Sequence, residues 1–195
     1  MVSQNGGKYT FVMPAKAVTV KATFAAGTSS RKSFTDVPAD HWACSPISWA
    51  AANGYMNGVS ATVFQPNGTV TRQQLWMILA RLSGTSPANM TEARTWAVAN
   101  GISDGSNPSG AVTRQQLVAI LYRYAQLMSY KTSGGTELTG YPDNTSVAGY
   151  AKDAMSWSVG NGIVAGTTDG KLNPTGTATR AQFAVILMRF TSKMA

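Results

Sequence analysis

Two short motifs recur three times in the same order, and that recurrence constrains the fold more than anything else in the chain. Trp-x-x-x-Asn-Gly occurs at Trp49/Asn53/Gly54, Trp96/Asn100/Gly101 and Trp157/Asn161/Gly162. Thr-Arg-x-Gln begins at Thr71, Thr113 and Thr179. The step from glycine to threonine is 17, 12 and 17 residues (54 to 71, 101 to 113, 162 to 179). The connecting stretch holds Phe64-Gln65-Pro66-Asn67-Gly68 in the first copy and Leu172-Asn173-Pro174-Thr175-Gly176 in the third, but only Pro108-Ser109-Gly110 in the middle one. Self-similarity of this kind marks a unit that buries its apolar face against its neighbours.

Each copy reads as helix, loop, helix. The Asn-Gly pair ends the first helix, because glycine adopts the left-handed conformation of a C-cap without strain. The threonine starts the second, with Gln74, Gln116 or Gln182 three residues on at capping-box spacing. Apolar residues then follow at helical intervals: Leu75, Ile78, Leu79, Leu82; Leu117, Ile120, Leu121, Tyr124; Phe183, Ile186, Leu187, Phe190. Trp76, Met77, Ala184 and Val185 widen these stripes, so the helices should be covered on more than one side. An aromatic-x-Asp opening precedes the first copy (Phe34-Thr35-Asp36) and the third (Tyr141-Pro142-Asp143) and is missing from the middle one. The segment 131–140 (KTSGGTELTG) reads as a flexible surface connection.

Residues 9–24 (YTFVMPAKAVTVKATF) differ in kind. Val18, Val20, Ala22 and Phe24 alternate with Thr19, Lys21 and Thr23, which is strand periodicity. The expected organisation is therefore mainly α with a short N-terminal β segment: residues 1–28 as closing strands of a β module that begins upstream, 29–33 a linker, 34–82 the first copy, 83–130 the shortened second, 131–140 a linker and 141–195 the third.

Composition excludes several functions. One His and one Cys leave no disulfide, no cluster for structural zinc and one imidazole at most for acid–base work. The eight acids are scattered, and no Gly-rich phosphate loop occurs, so no catalytic site, cofactor or metal is expected. No apolar run is long enough to span a membrane. The net charge of +8 suggests nucleic acid, but Lys8, Lys16, Lys21, Arg31 and Lys32 supply five of those charges in the leading segment, so no nucleic-acid partner is expected.

The candidate site residues are the repeated ones. Thr71, Thr113 and Thr179 are helix caps by residue type. Arg72, Arg114 and Arg180 fit a cap poorly, because a cation at the first helical position is disfavoured by roughly 0.3–1 kcal/mol. Two readings remain: an anion site, in which helix N–H groups and guanidinium hold a carboxylate or phosphate, and an internal Arg–Asp pair. Arg81, Arg123 and Arg189 lie nine residues later, on the opposite helix face near the C-terminal end, where a cation is favoured; for these the structural reading is preferred. Trp49, Trp96 and Trp157 read as core or as groove-edge sugar platforms. Asp36 and Asp143 read as caps or as partners of the motif arginines. Cys44 and His41 read as a small buried hydrophobe and a surface or capping residue.

The order Phe-x-Asp-Val, Ala-rich helix with Trp, Asn-Gly, Phe-x-Pro-x-Gly, Thr-Arg-x-Gln, Leu-x-x-x-Leu-x-Arg resembles the S-layer homology (SLH) domain, in three tandem copies over residues 34–195. The family motif is typically Thr-Arg-Ala-Glu; here Gln73-Gln74, Gln115-Gln116 and Ala181-Gln182 stand in its second half. The leading strands resemble the close of a bacterial surface-protein repeat module. The resemblance implies a pseudo-three-fold bundle that holds an exported bacterial protein to the cell wall. It implies an anionic, often pyruvylated, secondary cell-wall polysaccharide attached to peptidoglycan as partner, and an extracellular place at the cell surface. In that setting the ligand-binding candidates are Arg72, Arg114, Arg180, Thr71, Thr113, Thr179, Trp49, Trp96, Trp157, Asp36 and Asp143. The alternative is a self-associating component of a surface layer.

Overall fold

The repeated motifs set where the helices begin and end. The computed structural model describes residues 2–5, 8–11 and 32–194, and it is mainly helical. The described residues form six α-helices: α1 (Cys44–Ala52), α2 (Arg72–Leu82), α3 (Met90–Ala99), α4 (Arg114–Leu127), α5 (Lys152–Gly160) and α6 (Arg180–Met194). The Asn-Gly pairs close α1, α3 and α5 as expected. Gly54, Gly101 and Gly162 sit at φ of 71°, 67° and 67°, the left-handed region. The asparagine side chains donate back to Trp49 O, Trp96 O and Trp157 O at 2.8–2.9 Å, which explains the four-residue spacing of Trp and Asn. Each motif threonine begins a helix through the reciprocal bonds of a capping box: its N–H donates to the Gln74, Gln116 or Gln182 Oε1, and its Oγ1 accepts from the same glutamine's N–H.

The helices of one copy do not pack on each other as a hairpin. Instead α2 packs on α3, α4 on α5, and α6 returns to α1. Each copy's second helix covers the first helix of the next copy, so the contacts close into a ring. At its centre, one residue from each copy joins a cyclic set of backbone bonds. Val70 N–H donates to Ala178 O (3.1 Å), Ala178 N–H to Val112 O (3.0 Å) and Val112 N–H to Val70 O (2.8 Å). All three residues are buried. Isolated bridges Thr69–Thr179, Thr71–Ala111 and Thr113–Thr177 flank this ring. The apolar stripes are buried as expected, with Trp76 and Met77 enclosed beside Leu75 and Leu79.

Two connections differ from expectation or lie beyond description. The segment 131–140 is not a loose linker. Thr136 N–H donates to Ser156 O, Ser156 Oγ to Thr136 O (2.7 Å), Asn161 Nδ2 to Ser133 O and Trp157 Nε1 to Lys131 O, so the segment lies along α5. Close backbone approach makes this fit: a Cβ on Gly160 would collide with Gly134 O. Near the N-terminus, β1 (Val2–Asn5) and β2 (Lys8–Phe11) pair antiparallel, with Val2 opposite Phe11. The strand periodicity of Val18 to Phe24 lies outside the described residues.

Because each apolar face is covered by a neighbouring copy, residues 34–82 alone should show no cooperative thermal transition by circular dichroism. Residues 32–194 should melt in one transition with matching calorimetric and van't Hoff enthalpies. A folded, cooperatively melting 34–82 peptide would refute this packing.

Candidate functional site

The motif arginines are fasteners between copies, with Arg114 and Arg180 buried and Arg72 partly so. Arg180 reaches from the third copy into the first, where Nε donates to Phe64 O (2.8 Å) and Nη2 to Asn57 O (2.6 Å). Arg114 reaches from the second copy into the third, donating to Leu172 O (2.8 Å) and Ala165 O (2.9 Å). Their relative exposures are only 7% and 6%, and desolvation pushes both guanidinium pKa values below the ordinary arginine value. Arg72 reaches from the first copy into the second, where Nε makes the equivalent bond to Ser106 O (2.8 Å) but Nη2 meets side chains, Ser103 Oγ and the Asp104 carboxylate, the last at 2.7 Å.

The helix N-termini are equally occupied. Arg180 and Ala181 N–H donate to Gly68 O and Pro66 O, Arg114 and Gln115 N–H to Gly176 O and Pro174 O, and Arg72 and Gln73 N–H to Gly110 O and Pro108 O. Each Pro-x-Gly turn therefore serves as the carbonyl cap of another copy's helix. The residue before each proline, Gln65, Asn107 or Asn173, takes a positive φ of 46–58° to aim those carbonyls. With the threonine capping the next N–H, the N-termini of α2, α4 and α6 offer no free anion site. This corrects the anion-site reading of Arg72, Arg114 and Arg180 as it was framed on helix N–H groups. The Arg–Asp alternative holds as a direct pair at Arg72, with a carboxylate that the repeat pattern did not single out.

Asp36 and Asp143 hold the same turns from the other side. Asp36 accepts from Phe64 N–H (2.8 Å) and Gln65 N–H (2.7 Å), and Asp143 from Leu172 N–H (2.9 Å) and Asn173 N–H (2.7 Å). Burial raises the Asp36 pKa, but the two backbone N–H bonds, helped by Arg180, outweigh it and leave the carboxyl below its ordinary value. Trp49, Trp96 and Trp157 line none of the three grooves described next. Trp49 packs on Tyr55, Trp96 on Tyr124, and the buried Trp157 on Tyr122 and Phe190. Theirs is the packing reading.

Three surface grooves repeat around the ring, and every copy contributes to each. The α6 groove, about 390 Å³, has Gln182, Ile186 and Arg189 on one wall, Ala165 to Thr168 on the other, Trp42 at the rim and Arg114 behind. The α4 groove, about 370 Å³, combines Gln116, Ile120 and Arg123 with Ser103, Asp104 and Ser106, Tyr150 at the rim and Arg72 behind. The α2 groove, about 220 Å³, combines Gln74, Ile78 and Arg81 with Asn57 to Val59, Met90 at the rim and Arg180 behind. At the three rims Trp42, Tyr150 and Met90 are 64%, 56% and 38% exposed.

Arg81, Arg123 and Arg189, set aside as structural, are thus groove residues. The angular reading was right, since the two arginines of one helix point to opposite sides. Both sides nevertheless face grooves, so each groove collects one arginine of each kind from different copies. Arg81 and Arg123 lean on Gly54 O (3.4 Å) and Ile102 O (3.2 Å); among the described residues Arg189 donates to nothing. The signal for Trp42, Met90 and Tyr150 was a large apolar residue within two positions of each first helix.

Residues 33–75 and 139–184 match the S-layer homology domain. The middle copy lies outside both matched stretches. Several curated proteins are similar over most of this chain. An amylopullulanase of Thermoanaerobacterium thermosulfurigenes is 27% identical over 173 residues, 80% of this chain and 9% of that protein. An endoglucanase of Bacillus sp. (strain KSM-635) is 27% identical over 178 residues, 83% of this chain and 19% of that protein. The surface-layer 125 kDa protein of Lysinibacillus sphaericus is 26% identical over 159 residues, 80% of this chain and 10% of that protein. The chain thus spans a fifth or less of the length of these relatives. Among the described residues no group of acids, His and Cys is placed to hold a metal, and no helix is long and apolar enough to cross a membrane.

Truncating Arg114 or Arg180 to alanine strands two carbonyls each and should cost roughly 2–4 kcal/mol in urea titrations. Arg72→Ala, whose partner Asp104 is solvated, should cost about 1–2 kcal/mol. Equal small losses at all three would overturn the fastener assignment. Asp36→Asn should cost about 1–3 kcal/mol at neutral pH. Since the folded Asp36 pKa lies below its ordinary 3.8, wild type holds this advantage above that value and loses it as pH falls through the folded pKa. Unfolding curves of the two proteins should therefore draw together as pH falls from 3.8 through the folded Asp36 pKa; a gap that does not narrow over that fall would contradict the clamp.

Proposed function

We propose that this chain is a non-catalytic wall-binding module that anchors an exported bacterial protein, by seating an anionic secondary cell-wall polysaccharide in its grooves. The observation that carries this reading is the threefold recurrence of one chemistry. Each groove joins a solvent-reachable guanidinium (Arg81, Arg123 or Arg189), a glutamine amide and an exposed apolar rim. A guanidinium recognises a carboxylate such as a pyruvate ketal, the amide bonds hydroxyls, and the rim covers a sugar face. The relatives support it as well. An amylopullulanase, an endoglucanase and a surface-layer protein share a segment like this one, as a module independent of the rest of each chain would.

The pseudo-three-fold bundle implied by the SLH resemblance, with the middle copy as a true third repeat, belongs to this proposal. So do the domain boundaries set out above and an extracellular location at the cell wall. Assembly into a surface layer is the second reading, favoured by the surface-layer relative.

Purified cell wall should sediment this protein, and wall stripped of its secondary polymer should not. Arg189→Ala should weaken pelleting several-fold while leaving the melting temperature within a degree or two, because the residue makes no internal bond among the described residues. Equal pelleting by stripped wall, with concentration-dependent oligomers in sedimentation velocity, would replace this reading with the lattice one.

A further inference from the structure

The grooves share a plan but differ in charge at one position. Counted from the Asn-Gly that ends each first helix, Asn57, Asp104 and Ala165 are equivalent, and each borders the groove of its own copy. In the first and third copies this residue offers its backbone carbonyl to the buried arginine behind the groove. In the middle copy the side chain takes over that role, and a carboxylate stands in the groove mouth. Asp104 is 68% exposed. The Ser106 N–H and Ser106 Oγ bonds, with Arg72 and Ser103, hold its pKa below the ordinary carboxylate value despite some desolvation, so it is ionised at neutral pH.

We propose that the three grooves are unequal, with the α6 groove as the principal seat for a carboxylate-bearing glycan and Asp104 turning the α4 groove away from anions. This rests on the wall-binding reading and adds which groove is used and why. In the α4 groove, Arg72 already pairs with Asp104, and Arg123, the guanidinium left to a ligand, leans on Ile102 O. An incoming carboxylate would meet like charge within a few ångströms, where repulsion is worth about tenfold in affinity or more. Among the described residues no acidic side chain lines the α6 groove, the neighbouring Asp169 being bonded to Thr167 and paired with Lys171; Arg189 has no partner there, and Trp42 supplies the broadest platform of the three rims. The α2 groove also lacks an acid but is the smallest, and Arg81 is half-buried there.

The test uses the whole chain, methyl glucuronide as the carboxylate-bearing probe and methyl glucoside as its neutral counterpart, with binding followed per groove by amide chemical shifts in NMR. Wild type should show the Gly166 to Thr168 amides and the Trp42 indole shifting at concentrations about tenfold lower than the Ser103 to Ser106 amides. Asp104→Asn, which keeps the Oδ1 acceptor for Arg72 and Ser106 N–H while the Ser106 hydroxyl turns to accept from the new amide, should close that gap by about fivefold or more through tighter binding at the α4 groove alone. Ala165→Asp should carry the penalty into the α6 groove. Neither substitution should change the response to methyl glucoside. Equal occupancy of the α6 and α4 grooves in wild type, or an Asp104→Asn response identical to wild type in a folded protein, would overturn the ranking while leaving the wall-binding reading standing. Absence of glucuronide shifts at every groove, together with no loss of pelleting on stripped wall, would remove both.

Discussion

The cyclic hydrogen bonding of Val70, Ala178 and Val112 is the constraint from which the rest of the structure follows. Each of these residues gives one bond and receives one, so none is satisfied until all three copies are present. A buried backbone group left unpaired costs about 1–3 kcal/mol, more than a completed bond contributes, so the ring is favoured whole and penalised in part. Each ring residue lies one position before its motif threonine or threonine-bearing bridge, so closure also fixes where α2, α4 and α6 begin. Those starts place each helix against the first helix of another copy. Geometry at the centre is thereby passed outward to the groove walls.

Around that centre the motif arginines make a second, charged closure. A guanidinium at a helix start opposes the dipole, and its burial adds a desolvation cost that lowers its pKa. The geometry offsets both, because Arg114 and Arg180 each find carbonyls aimed at them by a turn that an aspartate holds from behind. Asp36 attracts Arg180, and Asp143 attracts Arg114, across the turn rather than by direct contact. The unit repeated in sequence as separate Asp, Pro-x-Gly and Thr-Arg motifs is thus one device split between two copies. That division explains why the motifs recur together: losing any part leaves polar groups of another copy unpaired.

What the sequence made legible was local. Helix ends could be read from Asn53-Gly54 and Thr71 to Gln74 because caps are bonds between near neighbours, and buried stripes could be read from helical period. What stayed hidden was destination. Every residue has a carbonyl, so nothing in the letters shows that Arg180 would seek those of Phe64 and Asn57, more than a hundred positions away. The dipole argument correctly found these arginines misplaced for helix stability, yet it pointed outward to a ligand where the structure turns them inward to another copy. For Arg81, Arg123 and Arg189 the helical angle was right. The error was to treat one side of each helix as inert, which holds for a lone helix pair and fails in a closed ring, where both flanks border a groove. Segment 131–140 read as loose from its Gly and Thr content, but its backbone pairs with α5 in a way that composition does not encode.

The middle copy shows how repair of the fold bears on recognition. It lacks the aromatic-x-Asp opening, so its shortened turn has no carboxylate equivalent to Asp36 or Asp143 holding it from behind. The turn is held instead from within. Asp104 accepts from Ser106 N–H and Oγ and pairs with Arg72, doing for this copy what a carboxylate and a backbone carbonyl do separately in the others. The two solutions are alike in closing the ring but differ in where negative charge ends up. Asp36 and Asp143 spend both oxygens on backbone N–H groups and stand only partly exposed, whereas Asp104 remains largely in solvent at the mouth of the α4 groove. A substitution that preserves assembly therefore changes the field a ligand meets. Near-symmetry of the backbone does not imply equality of the sites it carries.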